Sequence, residues 1–409
     1  MRQYAAALAL LAILGTGWLL RFTGLNWDEN QYLHPDERFM TMVATGIAWP
    51  KSLGEYFDSR ISPLNPYNRN FGTYVYGTFP LFLGKAVAGL FNRDAYGSFH
   101  LPARALSATF DLLSVLLVSL IGRRLFGTLA GLLAALLLSL TALHIQAAHF
   151  FTTDVYVTTL CLATLYFALR ACDHQRWPEY ALAGVMAGLA LASKLSALPI
   201  VAVLALPLVE RWRLAGWRAA LFPEEEGDRG LPFSRPLIGA GLALLCAALM
   251  FRIAQPYAFA GPGFFSFQLD PRWVADVRMW SKVQSGAIDM PPSHQWAGRE
   301  PVWYVVLWGM GVPLGITALL ALTLGGVSLA TARRWPPAWQ LVLVGWPAFH
   351  IVYYGTGLIK TVRYLLPAYP FLVLLAAGLL AQWWLSNGTV PAVQPLRRSG
   401  RLRFLAAAT

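Results

Sequence analysis

Charge is what this sequence has least of. Only 13% of its 409 residues are Asp, Glu, Lys or Arg, while 57% are hydrophobic. An ordinary soluble chain carries about 25% charged residues, and the mean hydropathy here is +0.50. No water-soluble core would hide that much apolar surface, so the chain reads as an all-α polytopic membrane protein. The same shortage of charge excludes a disordered chain, and the composition excludes a coiled coil and collagen. Cysteine is nearly missing too. Cys161, Cys172 and Cys246 all lie in or at the end of apolar runs, with no CxxC pair. That argues against a disulfide framework and against a cysteine-bound metal. No P-loop, GxGxxG, GxSxG or HExxH motif occurs, and His144 and His149 stand five apart, which is not a metal-ligand spacing. Acidic residues are outnumbered by basic ones, 20 against 32, for a net charge of +12. In a soluble chain this would suggest nucleic acid. In this one it points to basic loops facing anionic lipid, with no nucleic-acid partner.

What is present is a series of long apolar runs. A stretch of roughly 20 apolar residues crosses a bilayer. Ten such spans are predicted, at 4–20, 103–122, 128–147, 154–171, 178–194, 197–210, 237–254, 302–330, 339–355 and 364–385. The first follows Arg2 and runs straight into Arg21-Phe22-Thr23-Gly24 without a small-residue cleavage site, so it is read as an uncleaved span. The block 178–210 is interrupted by Ser193-Lys194-Leu195-Ser196. It is read as two short helices with Lys194 near the outer turn, a re-entrant hairpin being the alternative. No inverted repeat of the transporter kind is visible.

Orientation follows from the short loops. With the N-terminus inside, the inner loops carry Arg123 and Arg124, Arg170 and Arg176, Arg211, Arg213 and Arg218, and Arg333 and Arg334. The short outer loop 147–153 carries no Lys or Arg, as the positive-inside tendency requires. Residues 1–385 are then one membrane domain, and 386–409 form a basic cytoplasmic tail. Both termini are cytoplasmic, and in a bacterium the membrane is the inner or plasma membrane. Two long segments, 22–101 and 255–300, face outward. Within the first, 36–49 opens with Pro35, Asp36 and Glu37, a good helix start. Phe39, Met40, Val43 and Ile47 share its apolar face, with Thr41 and Thr45 opposite. It and a second apolar stretch, 79–91 with Lys85, are predicted to be interfacial helices lying along the membrane surface.

Four features could carry chemistry. Two Asp-Glu pairs, Asp28-Glu29 and Asp36-Glu37, follow the first span. A carboxylate partly shielded from water can serve as a general base with a raised pKa, and adjacent carboxylates can hold a divalent cation; helix capping and surface charge explain the same residues. Asp154 begins a span after a very short outer loop, on the same side as Asp36. Lys360 and Arg363 lie in another short outer connection, against the positive-inside tendency, and Lys194 resembles them. A phosphate would give such cations a purpose, and so would an internal salt bridge, for instance to Asp154. Arg104 and Asp111 lie seven apart on one face of the second span, where ionisable groups are functional or paired. They are read as a structural or pathway pair that could also partner other helices. A divalent metal is an open possibility, since Asp36, Glu37, Asp154 and His149 could assemble a site, although no spacing demands one. No other cofactor is implied.

These residues fall in an order that resembles the membrane glycosyltransferases of GT-C fold that use a polyprenyl-phosphate-linked sugar, the group of protein O-mannosyltransferases and the aminoarabinose transferase of lipid A. The matching pieces are Asp36-Glu37-Arg38-Phe39, Phe79-Pro80-Leu81, Arg104 to Ser107, Gly122-Arg123-Arg124-Leu125-Phe126-Gly127, Thr153-Asp154, Gly188-Leu189-Ala190 before Ser193-Lys194, and Arg363-Tyr364-Leu365-Leu366-Pro367. Gln295-Trp296-Ala297-Gly298-Arg299 before Trp308-Gly309-Met310-Gly311 looks like a bacterial subgroup. The resemblance implies a GT-C-like bundle and an inverting sugar transfer at the outer face, from a polyprenyl-phosphate sugar to a hydroxyl of a protein, lipid or glycan. Asp36 would be the base, with Asp28 the alternative and Glu37 and Asp154 completing the acidic group. Arg363, Lys360 and Lys194 would bind the donor phosphate. Two other readings of the same residues are a transporter or lipid flippase working through Asp111 and Arg104, and a non-catalytic assembly subunit.

Overall fold

The computed structural model describes residues 2–221, 234–288, 303, 305–356 and 362–386, with only the backbone for 2–3 and 215–221. The expected inner loop at 223–230, the motif at Gln295 to Arg299, Lys360 and the tail from 387 onward lie outside the described residues.

The helices run α1 Arg2–Phe22, α2 Pro35–Gly46, α3 Leu53–Phe57, α4 Thr78–Leu90, α5 Tyr96–Phe126, α6 Thr128–Ser139, α7 Ala142–Ala148, α8 Thr153–His174, α9 Trp177–Ser193, α10 Leu206–Leu221, α11 Ser234–Ala254, α12 Pro271–Ser285, α13 Val312–Ala330, α14 Ala338–Thr356 and α15 Tyr369–Leu385. Short 3-10 segments at Leu195–Ala205 and Val362–Ala368 lead into α10 and α15, and a π-helical turn, Val305–Met310, leads into α13. Among the described residues the only extended pairing is one bridge, Phe259 to Leu269. Each of the ten apolar runs is helical over most of its described residues. Among the described residues, seven helical stretches are long and apolar enough to cross a membrane, and α6 with α7 makes an eighth if that pair, bent by 60°, is one span. The chain is an integral membrane protein. The run at 178–210 breaks at Lys194, whose backbone is extended, between α9 and the 3-10 segment Leu195–Ala205.

Burial follows composition. α15 is apolar on nearly every face and lies at the centre beside α8, with Tyr156, Phe371, Leu372 and Leu374 fully buried. α1 lies at the periphery and leaves Tyr4, Leu8 and Leu11 exposed. Lipid tails offer no hydrophobic drive between helices, so close contact depends on small residues. α9 meets α11 in this way: a Cβ on Gly184 would come within 2.1 Å of the Ala243 carbonyl oxygen.

In the first long loop the apolar face of α2 is turned to protein. Met40, Val43 and Ile47 are buried within the protein, where α2 packs on α4 and α5. Thr41, expected on the polar side, is buried as well, while Met42 is exposed. The helix is covered by protein on a wider arc than its apolar stripe because α4 and α5 both flank it.

A buried polar knot ties α1 to the bundle. Arg21, fully buried, donates through Nε to Asp111 Oδ2 at 2.7 Å. Asp111 Oδ1 meets His144 Nδ1 at 2.6 Å. The bend between α6 and α7 frees the Ser139 carbonyl, which a straight helix would pair internally. Arg21 takes it at 3.0 Å and shares the Leu138 carbonyl, which also accepts from the Thr141 amide, at 3.3 Å. Removing one member of such a buried group costs about 3–5 kcal/mol, because the others are left unpaired. Arg21→Ala is therefore expected to lower the apparent melting midpoint in detergent by several degrees, whereas Leu8→Ala on the exposed face of α1 should not. An Arg21→Ala midpoint within about 2 °C of wild type would mean the knot does not hold α1.

Candidate active site

α2 starts sharply. His34 caps it, accepting from the Glu37 amide, and Pro35 occupies the first turn. Asp36 and Glu37 follow, where the helix dipole favours negative charge. Consecutive residues on a helix diverge by about 100°, and here they go to different partners.

Glu37 turns inward and is wholly buried. Arg104 on α5 grips it with Nε to Oε1 at 2.7 Å and Nη2 to Oε2 at 2.6 Å. The same guanidinium holds Asp28, through Nη1 at 3.0 Å and Nη2 at 2.8 Å, and the Leu25 carbonyl at 2.7 Å. Glu37 Oε1 also accepts from the Phe151 amide at 3.0 Å, three residues before Asp154. Burial alone would raise the Asp28 carboxyl; Arg104 outweighs it and holds that carboxyl below its ordinary value. Arg104 and Asp111 share a helix but not a bond. Each is fully buried and paired with other elements, Arg104 with Asp28 and Glu37, Asp111 with Arg21 and His144. The expected pair is thus two separate knots.

Asp36 turns the other way and meets Arg363, from the 3-10 segment before α15, in an ion pair whose side chains keep 20% and 27% exposure. A second pair stands beside it: Lys194 Nζ donates to Asp154 Oδ1 at 2.6 Å. Tyr364 joins the two, with Lys194 Nζ 4.4 Å and Arg363 Cζ 5.4 Å from its ring centre. Tyr76 lies against Asp36, and His34 Nε2 is 3.4 Å from Arg363 Nη1. Asp36, Asp154, Lys194 and Arg363 are therefore brought together from four places in the chain. Lys360 lies outside the described residues.

Electrostatics corrects one expectation. Burial does push the Asp36 carboxyl up, but the neighbouring Arg363, followed by His34 and Lys194, outweighs it, so its pKa is lowered rather than raised. His34 is lowered by burial and by Arg363, which favours its neutral ring. Burial and the Asp36 charge raise the Tyr76 phenol, which stays protonated and able to donate.

Among the described residues no group of three or more His, Cys, Asp or Glu is arranged to hold a metal ion. The four side chains named for one are each engaged elsewhere: Asp36 on Arg363, Asp154 on Lys194, Glu37 on Arg104, and His149 on the carbonyls of Ile145 and Thr23. Sequence reasoning passed over Arg21, His34 and Tyr76. Arg21 ends an apolar run, where a flanking anchor looks the same, and Tyr76 has no local signal. His34 precedes a Pro-Asp-Glu helix start, and that position could have identified it as a cap.

Residues 82–219 match the family model described as dolichyl-phosphate-mannose-protein mannosyltransferase. That span holds Arg104, Asp154 and Lys194 but neither Asp36 nor Arg363. None of the curated proteins matches the chain in sequence. Among solved structures, it is similar to ArnT from Cupriavidus metallidurans bound to undecaprenyl phosphate, with 16% identity, 92% of this chain and 59% of that one covered, and a TM-score of 0.54. It is also similar to the oligosaccharyltransferase AglB from Archaeoglobus fulgidus in complex with an inhibitory peptide and a dolichol-phosphate, with 14% identity, 95% and 52% covered, and a TM-score of 0.53. A third is the arabinosyltransferase EmbB from Mycobacterium smegmatis, with 16% identity, 91% and 30% covered, and a TM-score of 0.51. The chain spans at most 59% of the length of these three. The likeness is one of fold, and the fold is GT-C.

The lowered Asp36 carboxyl has a direct consequence for pH. A group depressed in the folded state adds stability above its unfolded pKa, and that stability is lost as pH falls through the lower folded value. The midpoint difference between wild type and Asp36→Asn should therefore persist at about pH 5 and shrink only below the ordinary 3.8. A difference already gone at pH 5 would contradict the ion pair.

Proposed function

We propose that this protein is an inverting glycosyltransferase that moves a sugar from a polyprenyl-phosphate donor to an acceptor hydroxyl. The observation that carries the reading is the partly exposed Asp36 carboxylate, set on a buried helix start beside two cations from distant segments. Support also comes from the GT-C fold, from the mannosyltransferase family model over 82–219, and from two similar structures that hold polyprenyl phosphates. The basic short loops support an outer position for this face, with both termini inside.

In this reading Asp36 is the base, not Asp28, because Asp28 is fully buried in the Arg104 grip. Glu37 positions and does not react. Arg363 and Lys194 take the donor phosphate, with Lys360 a third candidate; Arg suits phosphate by its two-pronged geometry. A phosphate that draws Arg363 away removes the main influence depressing Asp36, and burial then raises its basicity. The base is thus strengthened when the donor is bound. The acceptor hydroxyl gives its proton to Asp36 as its oxygen bonds to the anomeric carbon from the face opposite the phosphate. The carbon–oxygen bond to phosphate breaks, and its electron pair leaves with the polyprenyl phosphate. The cations hold the charge that develops on that leaving group. The acceptor is a protein, lipid or glycan.

The test is turnover of purified protein with a panel of labelled polyprenyl-phosphate sugars and membrane extract as acceptor. Asp36→Asn should lower kcat roughly 10²–10⁴-fold while remaining monodisperse. Turnover of Asp36→Asn near the wild-type rate would refute the base. Lys194→Ala should weaken inhibition by undecaprenyl phosphate roughly 10- to 100-fold, the loss of one charge-assisted contact. Unchanged inhibition would remove Lys194 from the phosphate site.

A further inference from the structure

The carboxylate of Asp276 is satisfied without a cation. It sits on α12, in the second long loop, at 7% exposure. It accepts three hydrogen bonds, all from neutral donors on the first long loop: Thr73 Oγ1 at 2.9 Å, the Tyr74 amide at 2.8 Å and the Tyr67 hydroxyl at 2.5 Å. Burying a carboxylate is unfavourable unless hydrogen bonds replace its water, and a well-packed apolar residue often serves stability as well. What the carboxylate adds is fixed direction, because its two oxygens take donors from residues 67, 73 and 74 at once. The start of the same helix reinforces the join: Arg272, paired with Asp270, reaches Asn68 Oδ1 at 3.4 Å and stacks 4.9 Å over the Tyr67 ring.

The segment held in this way leads straight to the site. The Tyr74 ring neighbours Tyr76, and Phe39, three residues after Asp36, touches both. Tyr76 lies against the Asp36 carboxyl. Gly77 then donates to the Ser193 carbonyl at 3.0 Å, one residue before Lys194. A Cβ at Gly77 would fall 2.0 Å from the Ala192 oxygen, so nothing but glycine fits there. Residues 73–77 are thus pinned at one end by Asp276 and at the other beside Lys194, with Tyr76 between them on Asp36.

We infer that Asp276 is a positioning residue: it latches the second long loop onto residues 67–77 and so sets the Tyr76 hydroxyl on Asp36. The latch itself is independent of the reaction; its effect on turnover rests on the glycosyltransferase reading. A tyrosine held on the carboxylate fixes its rotamer, and it keeps one oxygen oriented when Arg363 turns to a phosphate.

The test combines a structural and a kinetic readout on the full-length protein. Hydrogen exchange followed by mass spectrometry should show faster exchange across 70–77 and 271–285 in Asp276→Asn, because the amide that replaces an acceptor oxygen faces donors. Asp276→Glu should partly restore protection. Unchanged exchange overturns the latch, whether or not any donor turns over. In the turnover assay, Asp276→Asn and Tyr76→Phe should each lower kcat roughly 10- to 100-fold with little change in donor KM. The double variant should fall no further than the worse single, since both act through one contact. Multiplying losses, or unchanged kcat with raised exchange, would overturn the positioning role. Should Asp276→Asn not give monodisperse protein, Thr73→Val removes one donor and carries the same test. A wild type inactive with every donor counts against the glycosyltransferase reading and leaves the latch to be decided by exchange.

Discussion

The arrangement hangs on the guanidinium of Arg104. It is fully buried, and it spends its hydrogen bonds on two carboxylates and a carbonyl from the chain just after α1 and from the start of α2. Two carboxylates and one arginine leave a net negative charge, a costly thing to bury, and the Phe151 amide relieves part of it by donating to Glu37. That contact makes the knot reach across to α8. One side chain on α5 therefore sets where α2 begins and how α8 is entered, and with them the bearings of Asp36 and Asp154. The turn it holds is not a relaxed one. Glu29, Asn30 and Tyr32 all adopt positive φ, which side chains other than glycine rarely do. Such a backbone persists only where its surroundings over-determine it.

The sequence reveals the fold and the site to different depths for one physical reason. Helices announce themselves by composition over some twenty neighbouring residues, so the ten apolar runs, the start of α2 at Pro35 and the break at Lys194 were all legible. What faces what was not. Arg363 finds Asp36 across 327 positions and Lys194 finds Asp154 across 40, and no local pattern encodes such a meeting. The residue types at the site could be named because misplaced charge is conspicuous near a membrane, and Asp154 could be named as a salt-bridge partner, but not which cation it takes nor that Arg363 goes to Asp36. The same limit explains α2. Its apolar stripe predicted a partner for that face, and lipid was the partner a single sequence suggests. Protein supplies it instead, and covers Thr41 too. The pKa of Asp36 was misjudged for a related reason: shielding from water was foreseeable from position, and the overriding cation was not.

Among the described residues of this face, Asp36 is paired with Arg363 and Asp154 with Lys194. A site balanced in this way is quiet at rest. An incoming anion would not find bare positive charge; it would have to compete with Asp36 for Arg363 and with Asp154 for Lys194. Competition of that kind ties the state of the carboxylates to occupancy of the cations, and it needs no moving domain.

Tyr364 adds a further consequence. Its ring neighbours both Lys194 and Arg363, so the two cations share a single aromatic ring. In engineering terms they behave as one bidentate fixture and not as two interchangeable screws. Redesign of this face for a different ligand would have to treat the spacing across that ring as its fixed dimension, and would more readily move the acids around it than either cation alone.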